Sequence, residues 1–219
     1  AIILINSRGA FVALAVSTAF FIFQYLKAKS NLKIKKSWVV LATALCLGLF
    51  LYLTEDVFWQ RMSTLQDTST EGSGYRMLIW ASAFDMARDY PFGVGRRGFA
   101  YLSPQYVPSE LLAKQTGTRA VHNTFLQALT DLGYIGAGIF IFLLLSVVMY
   151  CKKIKYKLII HNLRYEYCMI IALQASLLAH LVAGVFINRL YSENLYWFIA
   201  FIIAYGNIIS RKLEDSSLK

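Results

Sequence analysis

Long apolar runs separated by charged stretches dominate the chain. Residues 9–26 contain a single strongly polar residue, Gln24, and four further runs contain no charged residue: 37–53, 132–151, 167–188 and 194–210. An apolar run of about 18 residues or more with few or no charges is typical of a membrane-spanning helix. The pattern therefore predicts an all-α integral membrane protein with five transmembrane helices.

The longest polar segment, the loop of residues 54–121, separates the second and third predicted spans. Its 68 residues are rich in aromatic side chains, which favours a packed structure over disorder. Residues 75–89 are predicted to form a helix that ends before Pro91. Its apolar residues recur at spacings of three and four, which predicts a stripe made of Met77, Trp80, Phe84 and Ala87. We expect this helix to lie on the membrane surface or to pack on the spans.

The composition agrees with a membrane protein. Of the 219 residues, 58% are hydrophobic and 16% are charged, which is less charge than a soluble domain of this length needs on its surface. The chain is apolar from Ala1 onward and shows neither a basic leader nor a cleavage site, so we interpret residues 1–219 as a single transmembrane domain cut from a longer protein. The three cysteines show no metal-ligand spacing, and no metal or other cofactor is expected.

The net charge of +10 is concentrated on alternate sides of the predicted spans. Residues 27–36 carry five lysines and no acid, and residues 152–166 carry five basic residues and one acid, whereas the loop 54–121 balances seven basic residues with seven acids. The positive-inside rule places the two basic segments and residues 211–219 in the cytoplasm and the loop outside. Orientation and contact with membrane lipids account for the lysines, and no basic–aromatic pattern of a nucleic-acid-binding protein is present.

Arg8 lies inside the first apolar run, in the stretch "INSRGAF". An arginine at the middle of a bilayer costs at least about 2.5 kcal/mol on insertion scales, so such a residue is a candidate for a functional site. The alternative is a side chain that extends to the membrane interface. The predicted orientation puts Arg8 in the outer half of the first span.

His122 and Asn123 begin the third apolar segment on the same predicted outer side, and Arg76 and Arg119 lie in the loop before it. If these side chains converge with Arg8 on one outward-facing pocket, their guanidinium groups can hold a pyrophosphate through bidentate hydrogen bonds. The imidazole of His122 is suited to act as a general base near neutral pH. The alternative for His122 is an interfacial residue that bonds to a neighbour.

The glycine-rich stretch "FGVGRRGF" follows the predicted loop helix. A dinucleotide-binding loop would follow a strand, so that interpretation is rejected. The stretch either forms a plain turn or presents its two arginines to a ligand. The candidate substrate-binding residues are Asn123, Arg119, Arg96, Arg97, Gly93 and Gly95.

Three stretches in this order, "NSRGAFVAL", "YRMLIWASAFDMARDYPFGVGRRGF" and "HNTFLQALTDLGYIGAGIF", resemble the core of the O-antigen ligase and polymerase superfamily. The resemblance covers roughly residues 6–145. It implies the C-terminal half of an all-helical bundle, related to the membrane glycosyltransferases that have a large periplasmic loop. It also implies a location in the bacterial inner membrane, with the loop 54–121 outside the cytoplasm.

Members of that superfamily act on glycans linked to undecaprenyl pyrophosphate. The resemblance implies that Arg8 and Arg76 bind the pyrophosphate of this donor and that His122 assists the acceptor hydroxyl, which makes these three the candidate catalytic residues. Arg96 and Arg97 stand at positions where small residues are commoner in the superfamily. The implied acceptor is a glycan, either a lipid-linked repeat unit or the core of lipopolysaccharide.

Three activities within the superfamily differ in the acceptor. A polymerase extends another lipid-linked repeat, a ligase uses the lipopolysaccharide core, and a protein O-oligosaccharyltransferase uses serine or threonine. Polymerase or ligase is the prediction, and the residues do not separate the two. A polysaccharide-related membrane transporter would also place polar residues in spans, but it predicts broken helices and inverted repeats. The five apolar runs show no such symmetry.

Overall fold

The computed structural model describes residues 8–27, 37, 41, 44, 45, 48, 74–112 and 117–217. Every element in this part of the chain is a helix, which confirms the all-α class there. The elements are α1 (Arg8–Lys27), α2 (Gly74–Asp89), α3 (Gly98–Tyr106), α4 (Ser109–Leu112), α5 (Thr124–Ile160), α6 (Arg164–Gly184) and α7 (Glu193–Ser217).

Three of these helices are long and apolar enough to cross a membrane: Gly9–Lys27, Thr124–Ile160 and Arg164–Gly184. They correspond to the predicted first, third and fourth spans. The second, 37–53, falls almost entirely outside the described residues. Helix α7 covers the fifth, 194–210, but amide and tyrosine side chains lower its mean hydropathy and it is not one of the three. Five spans and the sidedness of the loop therefore remain predictions.

The chain divides into two compact units, and boundaries between them fall within α5 and near the end of α6. The first unit comprises Ala1–Glu55, Leu145–Val182 and Glu193–Lys219. Its core consists of apolar side chains from α1, α5, α6 and α7, namely Tyr25, Ile154, Leu158, Tyr167, Ile170, Ile171 and Ile209. The hydroxyl of Tyr150 donates a 2.8 Å hydrogen bond to the side-chain oxygen of Asn207, so a polar contact joins α5 to α7 within this apolar unit.

The second unit comprises Asp56–Leu144 and Ala183–Ser192, and it contains all the candidate site residues except Arg8. Its core lies between α2, α3 and the start of α5, and consists of Ile79, Ala83, Met86, Phe99, Val107, Val121 and Leu126. Polar contacts reinforce the α2–α3 packing. The Tyr106 hydroxyl donates a 2.6 Å hydrogen bond to the Asp89 carboxylate, and this bond, with the negative charge, raises the pKa of Tyr106 to about 12.

Helix α2 forms at the predicted place, but its buried face coincides only in part with the predicted apolar stripe, of which Ala87 is buried. Met77 is 65% exposed and Phe84 is 52% exposed, whereas Ile79, Ala83 and Met86 are buried. At 3.6 residues per turn, the buried face is displaced by about a third of a turn from the predicted one. Apolar periodicity identifies the face that avoids water, and in a membrane protein that face need not be the one that packs on protein.

Helix α5 is interrupted near its start by Gly133, whose backbone has φ 69° and ψ −173°. The turn after α2 packs directly on this break. A Cβ added to Gly93 would lie 2.5 Å from the Gly133 nitrogen, and one added to Gly133 would lie 2.3 Å from the Phe92 carbonyl carbon. The Tyr134 amide donates a 2.9 Å hydrogen bond to the Pro91 carbonyl. The two backbones therefore meet at a distance that only glycine permits.

Replacing Gly133 with alanine should destabilise the protein strongly. The left-handed conformation alone costs about 1–3 kcal/mol for a residue with a side chain, and the new Cβ would overlap the turn backbone. Gly138→Ala is the matched control, because this glycine lies in the same helix and a Cβ there meets nothing within 4 Å. We expect G133A to lower the melting midpoint of the detergent-solubilised protein, and G138A to leave it unchanged or slightly raised. Equal midpoints for the two variants would contradict the close approach.

Candidate functional site

His122 lies in the extended segment that leads into α5, and two hydrogen bonds fix the backbone that precedes it. The indole nitrogen of Trp80 on α2 donates a 3.1 Å hydrogen bond to the Val121 carbonyl. The Arg119 amide donates a 2.9 Å hydrogen bond to the Ser103 hydroxyl on α3. His122 itself adopts the left-handed conformation, with φ 49°. A non-glycine residue is held in that region only where its surroundings over-determine the backbone.

Three of the predicted site residues lie close enough to interact electrostatically. Desolvation lowers the pKa of His122 below its usual value of 6.5, and the positive charges of Arg76 and then Arg119 lower it further. His122 and Arg76 are exposed, and Arg119 is half-buried. The imidazole is thus largely neutral at pH 7 and sits beside two cations, an arrangement that can accept a proton and hold an anion.

Asn123 stabilises the start of α5, a role that the sequence analysis did not predict. It is only 7% exposed, and its side-chain oxygen accepts hydrogen bonds from the amides of Phe125 at 2.9 Å and Leu126 at 3.2 Å. This is the geometry of a helix N-cap. The backbone amide of Asn123 in turn donates a 3.1 Å hydrogen bond to the side-chain oxygen of Asn188. Its role in substrate binding remains a prediction, and the oxygen that would make such a contact already caps α5.

Arg8 is the first residue of α1 and belongs to the first unit. Its side chain lies outside the described residues. Convergence of Arg8 with Arg76, Arg119 and His122 therefore remains a prediction.

The glycine-rich turn leads from α2 into α3. Gly93 and Gly95 both have positive φ, 82° and 83°. Gly93 is in contact with the α5 backbone, whereas a Cβ at Gly95 would meet nothing within 4 Å. The amide of Gly95 donates a 2.9 Å hydrogen bond to the Asp131 carbonyl. Gly93 therefore approaches the backbone of α5 closely. Contact of Gly93 or Gly95 with a ligand remains a prediction.

Arg96 and Arg97 follow this turn and lie next to a buried carboxylate. The Arg96 guanidinium lies 5.4 Å from the centre of the Tyr191 ring. Arg97 adopts the left-handed conformation, with φ 63° and ψ 11°, at the start of α3. The Asp131 carboxylate accepts hydrogen bonds from the Arg97 amide and from the side chains of Tyr191 and Gln127, and it interacts with the Arg96 charge.

Asp131 is the main residue that the sequence interpretation missed. It is 4% exposed and stands immediately before the run 132–151, so the predicted span excluded it. The stretch "LTDLGYIG" nevertheless indicates a role for Asp131, because burial of an acid between two apolar segments costs free energy unless the acid is paired.

A cavity of about 250 Å³ opens next to this carboxylate. Its wall is mostly apolar, and it is lined by Arg97, Phe99, Ala100, Ala120, Val121, Gln127, Asp131 and Asn188. Two of these residues directly precede His122 in the chain. Among the described residues, no group of three His, Cys, Asp or Glu side chains is placed to hold a metal ion.

Comparison with known proteins identifies a family. The family model described as O-antigen ligase matches residues 1–141 of the chain. No curated protein matches the chain, and no solved structure does.

The capping role of Asn123 predicts how its variants behave. Asn123→Ala should destabilise the protein by about 1 kcal/mol, because the first-turn amides of α5 lose their acceptor. Asn123→Ser should retain most of the stability, because a serine hydroxyl also caps a helix. Melting midpoints of the two purified variants measure the difference, and glycan transfer by N123S tests the binding role. If N123S is stable but inactive, Asn123 contacts substrate in addition to capping.

Proposed function

The chain belongs to the O-antigen ligase family, and from this membership we propose a specific reaction for it. The protein is a membrane glycosyltransferase that moves an oligosaccharide or polysaccharide from undecaprenyl pyrophosphate to a glycan acceptor. Polymerisation of lipid-linked repeats and ligation to the lipopolysaccharide core are the two forms of this reaction that we favour. We place the protein in the bacterial inner membrane, with residues 54–121 on the extracytoplasmic side.

The observation that carries the proposal is the grouping of His122 with Arg76 and Arg119. Transfer from a pyrophosphate donor needs a base for the acceptor hydroxyl and positive charge for the leaving group. A His122 side chain with a lowered pKa is neutral and able to accept a proton near pH 7. The neighbouring guanidinium groups match the oxygens of a pyrophosphate.

In the proposed reaction, the acceptor hydroxyl attacks the anomeric carbon of the donor glycan. A new carbon–oxygen bond forms as the bond to the pyrophosphate oxygen breaks, and the configuration at the anomeric carbon inverts. His122 takes the proton of the hydroxyl, and Arg76 stabilises the charge that develops on the departing pyrophosphate. We expect Arg8 to share this electrostatic role and Arg119 to help bind the donor. No step requires a metal or a nucleotide.

Donor binding should make His122 a better base. In the free enzyme, Arg76 and Arg119 oppose protonation of the imidazole. A bound pyrophosphate offsets their charge and raises the pKa of His122 toward its usual value. His122 would then be the stronger base when the donor is bound, and its imidazole would stay mostly unprotonated in the empty site.

Removing the imidazole should abolish transfer. We expect His122→Ala to lower the rate of glycan transfer at least about 100-fold, within the range that general bases contribute. His161→Ala is the matched control, because His161 is an exposed histidine in the turn between α5 and α6. The assay follows the size of glycans formed from lipid-linked donor by the purified full-length protein, with membrane insertion checked for each variant. Normal transfer by H122A would remove the base from the proposal.

The pH profile provides a second test. If His122 must be neutral, the acid limb of kcat/KM, which reports the free enzyme, should lie at lower pH than the acid limb of kcat, which reports the donor complex. Arg119→Gln removes a cation, so the pKa of His122 should rise and the acid limb of kcat/KM should move to higher pH. Arg88→Gln is the control, because Arg88 is exposed and pairs with Asp85. A shift to lower pH in R119Q would contradict the electrostatic assignment.

The product distinguishes the acceptors. A strain that lacks a polymerase accumulates single unpolymerised repeats, whereas a strain that lacks a ligase accumulates long chains that are not attached to lipopolysaccharide. Glycan released from serine or threonine of membrane or secreted proteins would instead indicate a protein O-oligosaccharyltransferase. Gel separation of glycans from a deletion strain, with and without the intact gene, gives the answer.

A further inference from the structure

Arg97 is held in a conformation that arginine disfavours. Its φ of 63° lies in the left-handed region, where a side chain costs roughly 1–2 kcal/mol and glycine costs almost nothing. The residue stands between Gly95 and Gly98 in a glycine-rich turn, so glycine would suit the backbone at this position. Strain that persists where glycine would relieve it suggests that the side chain is needed.

The surroundings of Arg97 hold the backbone in place. The buried carboxylate of Asp131 accepts a hydrogen bond from the Arg97 amide, and the Arg97 carbonyl accepts a 3.2 Å hydrogen bond from the Tyr101 amide in the first turn of α3. The Arg97 guanidinium group takes no part in these backbone hydrogen bonds. Among the described residues, no carboxylate forms an ion pair with it, and Arg97 is one of the residues that line the cavity.

The charges around the cavity leave a positive excess. Asp131 is the one acidic residue of its wall, and its carboxylate is already bonded to Arg97, Tyr191 and Gln127 and lies near the Arg96 charge. The charge near this carboxylate is that of Arg96, and the Arg97 guanidinium has no carboxylate partner among the described residues. An anion in this cavity would gain a bidentate partner in Arg97 without displacing an internal ion pair.

The size and wall of the cavity limit what the anion can be attached to. About 250 Å³ is somewhat less than the roughly 300–1,000 Å³ of sites for drug-sized ligands, so it suits one ring rather than a longer oligosaccharide. Phe99, Ala100 and Val121 offer apolar surface for the face of a ring. The Asn188 side chain offers its amide nitrogen, because its oxygen already accepts from Asn123.

We infer that this cavity is a subsite for one sugar residue that carries an oxyanion, either a carboxylate or a phosphate ester, and that Arg97 binds the oxyanion. The inference rests on the proposed function and names a feature of the glycan that the site selects. Arg76 and Arg119 beside His122 remain the partners of the pyrophosphate. Arg97 is a specificity-determining residue, and Asp131 positions it.

Ligand-dependent melting of the detergent-solubilised full-length protein tests the subsite without relying on turnover. The probes are glucuronate, glucose 6-phosphate, glucose and inorganic pyrophosphate at equal ionic strength. We expect glucuronate or glucose 6-phosphate to raise the midpoint saturably, and glucose not to. The acidic sugar that protects more identifies a carboxylate or a phosphate ester as the preferred group. If neither protects more than glucose, the inference fails.

Variants of Arg97 connect the response to this side chain. Arg97→Gly should abolish protection by the acidic sugar and should raise the midpoint of the unliganded protein by about 2–4 °C, because the strain is relieved. Arg97→Lys should weaken the protection, because an ammonium group cannot form the bidentate contact. Asn162→Gly is the control for the backbone, since Asn162 has φ 53° in another turn, and R88Q is the control for net charge. Both controls should keep the response of the wild type.

A second variant tests the cavity with every charge intact. Ala100 is half-buried on α3 and lines the cavity, whereas Ala81 is exposed on α2. Ala100→Leu should fill the space and block protection by the acidic sugar, and Ala81→Leu should not. Full protection of A100L would place the anion elsewhere and overturn the subsite.

The pyrophosphate probe separates this inference from the proposed function. We expect pyrophosphate to protect wild type and R97G equally, because Arg76 and Arg119 bind it. If R97G also loses protection by pyrophosphate, Arg97 belongs to the donor site, and the subsite fails while the proposed reaction stands. If H122A transfers glycan normally, the proposed reaction fails whatever the acidic sugars do.

Discussion

The backbone contact between Gly93 and Gly133 is the constraint on which the second unit depends. A helix broken inside an apolar segment leaves amides and carbonyls without partners, and each such group costs several kcal/mol where water is absent. The turn after α2 provides those partners. The Pro91 carbonyl accepts from the Tyr134 amide, and the Thr130 and Asp131 carbonyls accept from amides of the turn. Because each backbone satisfies the other, the break in α5 and the glycine turn form together.

This contact fixes where the charged side chains lie. The turn continues into Arg96 and Arg97, and the same stretch of α5 carries Asp131, so the Arg96 charge and the Arg97 backbone amide come to lie beside one buried carboxylate. The start of α5 is fixed independently, through the bond from Trp80 to the Val121 carbonyl. Chemistry that depends on sub-ångström placement of groups benefits from such rigid support.

The sequence predicted the features that depend on local order, and it missed those that depend on long-range pairing. The bounds of α2 followed from its periodicity and from Pro91. The assignment of Arg8, Arg76 and His122 to one site came from the cost of an arginine near lipid and from the family motifs, and it stays a prediction. The buried face of α2 could not be predicted, because apolar residues in a membrane protein contact lipid as readily as protein. Gly133 and Asp131 acquire their roles only by meeting a turn about 40 residues earlier in the chain, which no local pattern encodes.

His122 and Arg97 share the left-handed conformation, and Arg97 and the two residues before His122 line the same cavity. Each is held by its neighbours: a tryptophan fixes the segment before His122, and Asp131 binds the amide of Arg97. A fold selected for stability alone would place glycine or asparagine at such positions. The strain is therefore best explained by what the two side chains do. In the proposed arrangement, His122 and its neighbouring arginines act on the bond that breaks, and Arg97 recognises a charged group on the glycan. Such a division lets a family keep one reaction while its members differ in the glycan that they accept, since a change at Arg97 alters recognition without disturbing the base.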